Sequence, residues 1–154
     1  EAGLAVREVQ SIVYRDAAAS DAPLSPPVVS DETFDASGWG SHRMLFPSTP
    51  LLFRFSALTF NSHRIHYDLP YATAEEGYRG LVVHGPLTAT KLLQLAQAEL
   101  GDNALTSFAF RGTSPAICGE ALHLVMRGQG AAIELGAFAS DGRQVMAATA
   151  TGKD

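Results

Sequence analysis

Residues 86–100 constrain the fold more than any other stretch of this chain. Leu87, Leu92, Leu95 and Ala96 recur at near-helical spacing, and Ala89 and Leu93 widen the apolar stripe. Pro86 suits a first helical turn, where a missing N–H costs nothing, and Gly101 is the residue expected to stop the helix. A helix this apolar cannot lie on a surface with one side wet. The rest of the chain has to wrap it.

The wrapping comes from the C-terminal third. Residues 105–112, 121–127, 132–139 and 144–151 each read as a strand, rich in β-branched and aromatic residues and separated by turn signals. Ser114-Pro115 and Gly128-Gln129-Gly130 mark two turns, and Asp141-Gly142 marks a hairpin. One apolar helix followed by an antiparallel meander has a simple solution, a sheet curved around the helix. That is an α+β fold of the hot-dog architecture.

Bulk properties fit one globular domain. The chain has 154 residues, 46% of them hydrophobic and 18% charged, which is enough apolar material for a core. A net charge of −5 without a basic stripe argues against nucleic acid. The uncharged apolar runs are too short to span a bilayer, so no membrane is expected. A single cysteine, Cys118, excludes an internal disulfide and a Cys-rich zinc site, and it reads as packing.

The N-terminal half is read as follows. Residues 4–15 form a strand. Residues 16–50, with Pro23, Pro26, Pro27, Pro47 and Pro50, form a linker or excursion whose far end Trp39, Met44, Leu45 and Phe46 could anchor. The apolar run 51–58 is a strand, and Thr59 caps a short turn through His66. Pro70 opens a short helix over 71–76, stopped at Gly77, and residues 81–83 form a short apolar run.

Chemistry concentrates between these elements. Three of the five histidines, His63, His66 and His84, lie within 51–91. His66 is the candidate acid–base group, because imidazole gains or loses a proton near neutral pH. A satisfied, partly buried histidine is the competing reading. Asn61 lies five residues earlier and converges on His66 only if the turn is distorted. Gly85, at the start of the helix, exposes a backbone N–H inside the positive end of the helix field, which suits an oxyanion hole. Plain helix entry by Gly-Pro is the alternative. Arg64 either pairs with Asp68 four residues on or faces a substrate carboxylate or phosphate. Asp68 also reads as a cap for the next helix. His63 and His66 lack a convergent third ligand, so no metal is expected.

The segment Ser56-Ala57-Leu58-Thr59-Phe60-Asn61-Ser62-His63-Arg64-Ile65-His66-Tyr67-Asp68, followed by Gly80-Leu81-Val82-Val83-His84-Gly85-Pro86-Leu87, resembles the MaoC-like hot-dog hydratases. Within them it is most similar to the branch of mesaconyl-C4-CoA and itaconyl-CoA hydratases and type 2 hydroxyacyl-thioester dehydratases. The resemblance implies reversible syn addition of water to a 2-enoyl thioester, carried by CoA or by an acyl-carrier protein, with no metal and no cofactor. It places the catalytic roles on His66, Asn61 and Gly85, and substrate contacts on Arg64, His63, His84 and Tyr67. The broader hydratase motif has an acid where this chain has Asn61, and an asparagine amide can orient water but cannot take its proton.

Members of this branch commonly carry two hot-dog halves. The resemblance therefore makes residues 1–15 the closing strand of a preceding half, 16–50 a linker and 51–154 the catalytic domain, and the start at Glu1 points to processing or truncation. It also implies a homodimer, or pairing with another hot-dog half, in a bacterial cytoplasm or a mitochondrial matrix. Two rivals remain. A thioesterase would need a base by the helix, where Glu75 and Glu76 are the only nearby pair. A non-catalytic acyl-binding or dimerising module is motivated by Asn61 in the acid position.

Overall fold

The computed structural model describes residues 3–12 and 29–153. Its centre is helix α2, Gly85–Leu100, the element that the apolar periodicity identifies. Pro86 occupies the first turn, and Gly101 ends the helix at φ 94° while its N–H bonds to Gln97 O. Leu92 and Ala96 are completely buried, with Leu87, Ala89 and Leu95 nearly so.

Five antiparallel strands curve over this helix. In chain order they are β1 (Ser41–Leu45), β2 (Leu105–Gly112), β3 (Leu122–Gln129), β4 (Ala132–Ala139) and β5 (Gln144–Gly152), arranged β1-β3-β4-β5-β2. Leu122, Leu124 and Met126 of β3, Ile133, Leu135 and Ala137 of β4, and Met146, Ala148 and Ala150 of β5 form the core with the helix. Alternate positions point inward, as the two-residue period of a strand demands. The alanines on β4 and β5 are small enough for the helix to sit close to the sheet. The β4–β5 hairpin turns at Asp141-Gly142, with Gly142 at φ 77° and Ala139 N donating to Arg143 O. The four C-terminal strands thus fall where the sequence puts them, with bounds shifted by two residues or fewer.

Three expectations for the N-terminal half are corrected. The apolar run 51–58 is not a strand but the body of helix α1, Thr49–Thr59. Ser48 caps it, its side chain accepting from Leu51 N, and Pro50 stands in the first turn. Leu52 and Ser56, one turn apart, are the buried positions, while Phe53 and Leu58 stay exposed. Thr59 therefore closes a helix instead of opening one: its hydroxyl donates to Phe55 O. Phe60 leaves the helix in the left-handed region, at φ 53°.

The second correction concerns residues 4–15. Residues 3–12 are exposed and form no regular element, and residues 13–15 lie outside the described part. The third concerns the excursion over 16–50, of which 16–28 lie outside the described residues. Its far end supplies β1, which pairs along β3 from Ser41↔Met126 to Leu45↔Leu122. Trp39 does anchor it, 5.8 Å from the Phe138 ring and beneath the Arg127 guanidinium, and Leu45 packs on the core. Met44 and Phe46 do not, being more than half exposed. The sheet thus begins at Ser41, ahead of the boundary expected at residue 51.

The segment between α1 and α2 holds a 3-10 turn, Arg64–His66, and a π-type turn, Tyr71–Glu75. Gly77, at φ 72°, follows the second turn as expected.

Candidate active site

Three elements bring the polar groups together. The strand-like stretch before α2 is fixed first. Val83 N donates to Ala116 O, Cys118 N donates to Leu81 O, and Arg79 pairs with Glu120. The 3-10 turn is then tied to that stretch in both directions. Val82 N donates to Ile65 O at 2.9 Å, and His66 Nδ1 donates to Val82 O at 2.7 Å.

That second bond decides the tautomer of His66. A carbonyl oxygen only accepts, so the proton sits on Nδ1 and Nε2 keeps its lone pair. Nε2 has no partner among the described residues. It is also absent from the fully buried unpartnered atoms, so it reaches solvent. The ring as a whole is buried, at 7% exposure, and burial pushes its pKa below the usual histidine value. The bond to Val82 O works against that shift, and the neighbouring His63 works with it.

His84 lies against His66. The two imidazoles stack with centroids 3.6 Å apart and planes 18° apart. His84 is only 1% exposed and packs edge-on to Phe55. Its Nε2 lies 2.8 Å from Ser56 Oγ on α1, and its Nδ1 is fully buried with no partner among the described residues. Burial, reinforced by His66, lowers its pKa to about 4. Both rings are therefore neutral at pH 7.

Gly85 follows His84 as the first residue of α2 and is exposed. The first helical bond runs from Thr88 N to His84 O, so the Gly85 and Leu87 N–H groups are among those that a helix start leaves without an internal partner. A Cβ on Gly85 would meet nothing within 4 Å, so the space beside this residue is open. His66 is thus stacked on His84, the residue that caps the N-terminus of α2.

An apolar groove of about 370 Å³ is lined by Phe53, Ser56, Ala57, Phe60, Asn61, Ser62 and Tyr67; it meets the histidine pair through Ser56, while His66, His84 and Gly85 are not part of its lining. Asn61 Oδ1 accepts from His63 N, which shapes the loop, and no hydrogen bond joins Asn61 to His66. The Tyr67 hydroxyl donates to Ser62 O, so its ring wall is held in place. Asn61 and Tyr67 line the groove, whereas His63 is exposed, its ring centroid 5.8 Å from that of His66.

Arg64 turns away. Its Nε and Nη2 both donate to Asp68 Oδ2, at 2.9 and 2.7 Å, and the guanidinium lies 4.1 Å over the Tyr71 ring. Of the two readings for Arg64, the ion pair is the one formed. Asp68 also caps the following turn by accepting from Tyr71 N. The bonds from Arg64 and Tyr71 hold its carboxyl below the usual carboxylate range. Among the described residues, no group of three or more His, Cys, Asp or Glu is placed to hold a metal ion.

Sequence reasoning missed Ser56 and the His66–His84 stack. The signal for Ser56 was present: once Ser48-Thr49-Pro50 is read as a helix start, Ser56 falls one turn after Leu52 on the buried face. The stack had no local signal, since its rings stand 18 positions apart in sequence and meet only through the Val82 and Ile65 bonds.

A five-stranded antiparallel sheet curved around one long helix is the hot-dog fold. Similar solved structures include a MaoC-like dehydratase from Phytophthora capsici, with TM-score 0.67 and 16% identity over 75% of this chain and 41% of that one. The family model of hydroxyacyl-thioester dehydratase type 2 matches residues 1–118, and the chain belongs to that family. Mesaconyl-C(4)-CoA hydratase of Chloroflexus aurantiacus is 44% identical over 146 residues, covering 95% of this chain and 50% of the relative. The mitochondrial hydroxyacyl-thioester dehydratase type 2 of Schizosaccharomyces pombe is 39% identical over 87 residues, 54% of this chain and 29% of the relative. The chain thus spans about half the length of the first relative and less of the second.

Proposed function

We propose that this chain carries the acid–base centre of a hydro-lyase that adds water reversibly to a 2-enoyl thioester, or removes it from a 3-hydroxyacyl thioester. The observation that carries the reading is the state of His66: proton on Nδ1, held by Val82 O, and a bare Nε2 on a ring stacked against the residue that precedes α2. A general base needs that lone pair free and aimed.

The steps follow from the geometry. The thioester oxygen accepts from the Gly85 N–H, where the helix field favours the negative charge of an enolate. Asn61 orients a water through its amide. His66 Nε2 takes one proton of that water while the oxygen bonds to the β-carbon and the π electrons move onto the thioester oxygen. The enolate then collapses and the α-carbon takes a proton, which the His66 imidazolium returns. The net change is H and OH across the double bond, with His66 neutral at both ends. Asn61 has no acid to offer, so His66 handles both transfers.

The acyl chain occupies the apolar groove of Phe53, Ala57, Phe60 and Tyr67. A dicarboxylic acyl-CoA is the favoured substrate, since the mesaconyl-C(4)-CoA hydratase is the relative matched over most of the chain. Arg64 keeps Nη1 free of hydrogen bonds among the described residues and is the candidate for the second carboxylate, with His63 beside it. The carrier of the thioester is CoA or an acyl-carrier protein. Phe53, Leu58 and Phe60 are 65%, 80% and 94% exposed. That exposure supports a covering partner, a second copy or another hot-dog half, with residues 1–15 as the end of such a half. No helix among the described residues is long and apolar enough to cross a membrane. A bacterial cytoplasm or a mitochondrial matrix is the proposed compartment, the latter because one relative is mitochondrial.

The test is an enoyl-CoA panel that includes mesaconyl- and itaconyl-CoA, with chromatographic identification of the products. His66→Ala is expected to lose about 10²–10⁴-fold in turnover and to melt lower, because it empties a buried site and leaves Val82 O unpaired, while the circular dichroism spectrum at assay temperature stays that of the wild type. Retained turnover in that variant refutes the proposal. Release of free thiol in place of a 3-hydroxyacyl product would make the chain a thioesterase, and binding without turnover would make it an acyl-binding module.

A further inference from the structure

We propose that Ser56 and His84 form a positioning pair for His66: Ser56 anchors the His84 ring, and the face of that ring holds His66 so that Nε2 points at the reacting atoms. The inference rests on the hydro-lyase reading and adds two residues to it.

The bond from His66 Nδ1 to Val82 O fixes one point of the ring but leaves it free to swing about that point. The stacked face of His84 removes that freedom, at 3.6 Å and 18°. His84 is rigid in turn, wedged against Phe55 and bonded through Nε2 to Ser56 Oγ. A serine on α1, a histidine at the start of α2 and a histidine on the 3-10 turn thus meet, though neither Ser56 nor His84 touches Val82 O.

The unpartnered Nδ1 of His84 indicates which way this pair is protonated. A buried N–H without an acceptor is rarer than a buried acceptor without a donor. The proton therefore sits on Nε2 and is donated to Ser56 Oγ, leaving Nδ1 bare. The serine hydroxyl hydrogen is then free to turn toward the groove that Ser56 also lines. A neutral His84 also suits turnover. When His66 becomes an imidazolium it lies on the π-face of an uncharged ring, an attractive arrangement, whereas a charged neighbour at that distance would oppose proton uptake.

The test reads His66 directly by long-range ¹H–¹⁵N correlation on ¹⁵N-histidine-labelled protein, alongside kcat and KM. Wild type is expected to show His66 protonated on Nδ1 and bare at Nε2. Ser56→Ala is expected to leave the His66 proton on Nδ1, where Val82 O holds it, to shift and broaden the His66 nitrogen signals as the ring loses its fixed plane, and to lower kcat about tenfold to a hundredfold with KM within twofold. Ser56→Thr should restore both readouts. His84→Phe, which keeps a flat buried face, should retain more kcat than His84→Leu. Three results overturn the inference: Nε2-protonated His66 in wild type, kcat within twofold of wild type in Ser56→Ala, or lost kcat with unchanged His66 nitrogen shifts. If no acyl thioester is turned over by wild type, the hydro-lyase reading fails, and the nitrogen shifts alone decide whether the pair orients His66.

Discussion

Acid should unfold this protein through His84, and the size of the effect follows from its burial. In the unfolded chain His84 titrates near the ordinary histidine value of about 6.5. In the folded protein burial, with His66 stacked on the same ring, lowers its pKa to about 4. The unfolded state therefore binds a proton more readily over that window, and stability falls as pH drops from about 6.5 to about 4. Above pH 7 the group costs nothing. At pH 5 the linkage amounts to about 2 kcal/mol, and below pH 4 it approaches roughly 3 kcal/mol. A domain of this size has about 5–15 kcal/mol in total, so the loss is visible. His66 and His123, both lowered by burial, add to it in the same direction. The assay is urea unfolding of wild type and His84→Phe at pH 7.5 and pH 5.0. Wild type is expected to lose about 2 kcal/mol more than the variant between the two pH values. Equal losses in the two proteins would mean that His84 is accessible to protons in the native state, and the burial argument would fail.

Other perturbations test separate parts of the structure. Leu92→Ala, at a completely buried position on α2, should cost about 2–5 kcal/mol in chemical denaturation, because the sheet closes only partly around the lost volume. Gly85→Ala adds a methyl that meets nothing within 4 Å, so the melting temperature should hold or rise, whereas kcat/KM should fall because added bulk beside the amide hinders the approach of a thioester carbonyl. Arg64→Gln removes an exposed ion pair. It should lower the melting temperature slightly, less so at high salt, and should raise KM for dicarboxylic but not monocarboxylic acyl thioesters.

Legibility in the sequence followed the range of the interaction that decides each feature. Helix α2 and strands β2 to β5 were readable because periodicity and turn residues are local, and each sits inside a stretch of ten to fifteen residues. Asp141-Gly142 is a hairpin in any context. The run at 51–58 was misread because eight mostly apolar residues have neither a clean two-residue nor a clean 3.6-residue period. The deciding signal lay just before it, at Ser48 and Pro50. Residues 4–15 carry β-branched side chains, yet a strand exists only where another strand accepts its hydrogen bonds, and residues 3–12 have none among the described residues.

The site divides in the same way. The sequence by itself determined which groups are available: His66, Asn61 and Gly85 on two short segments, and an apolar helix for a sheet to enclose. Only the tertiary structure decided their states. Val82 O sets the tautomer of His66, the ring of His84 sets its plane, Ser56 anchors that ring from another helix, and Asp68 holds Arg64 in an ion pair. Proton position and ring orientation are set by hydrogen bonds and stacking between residues far apart in the chain, and no local pattern encodes a contact that exists only after the chain has closed around its helix.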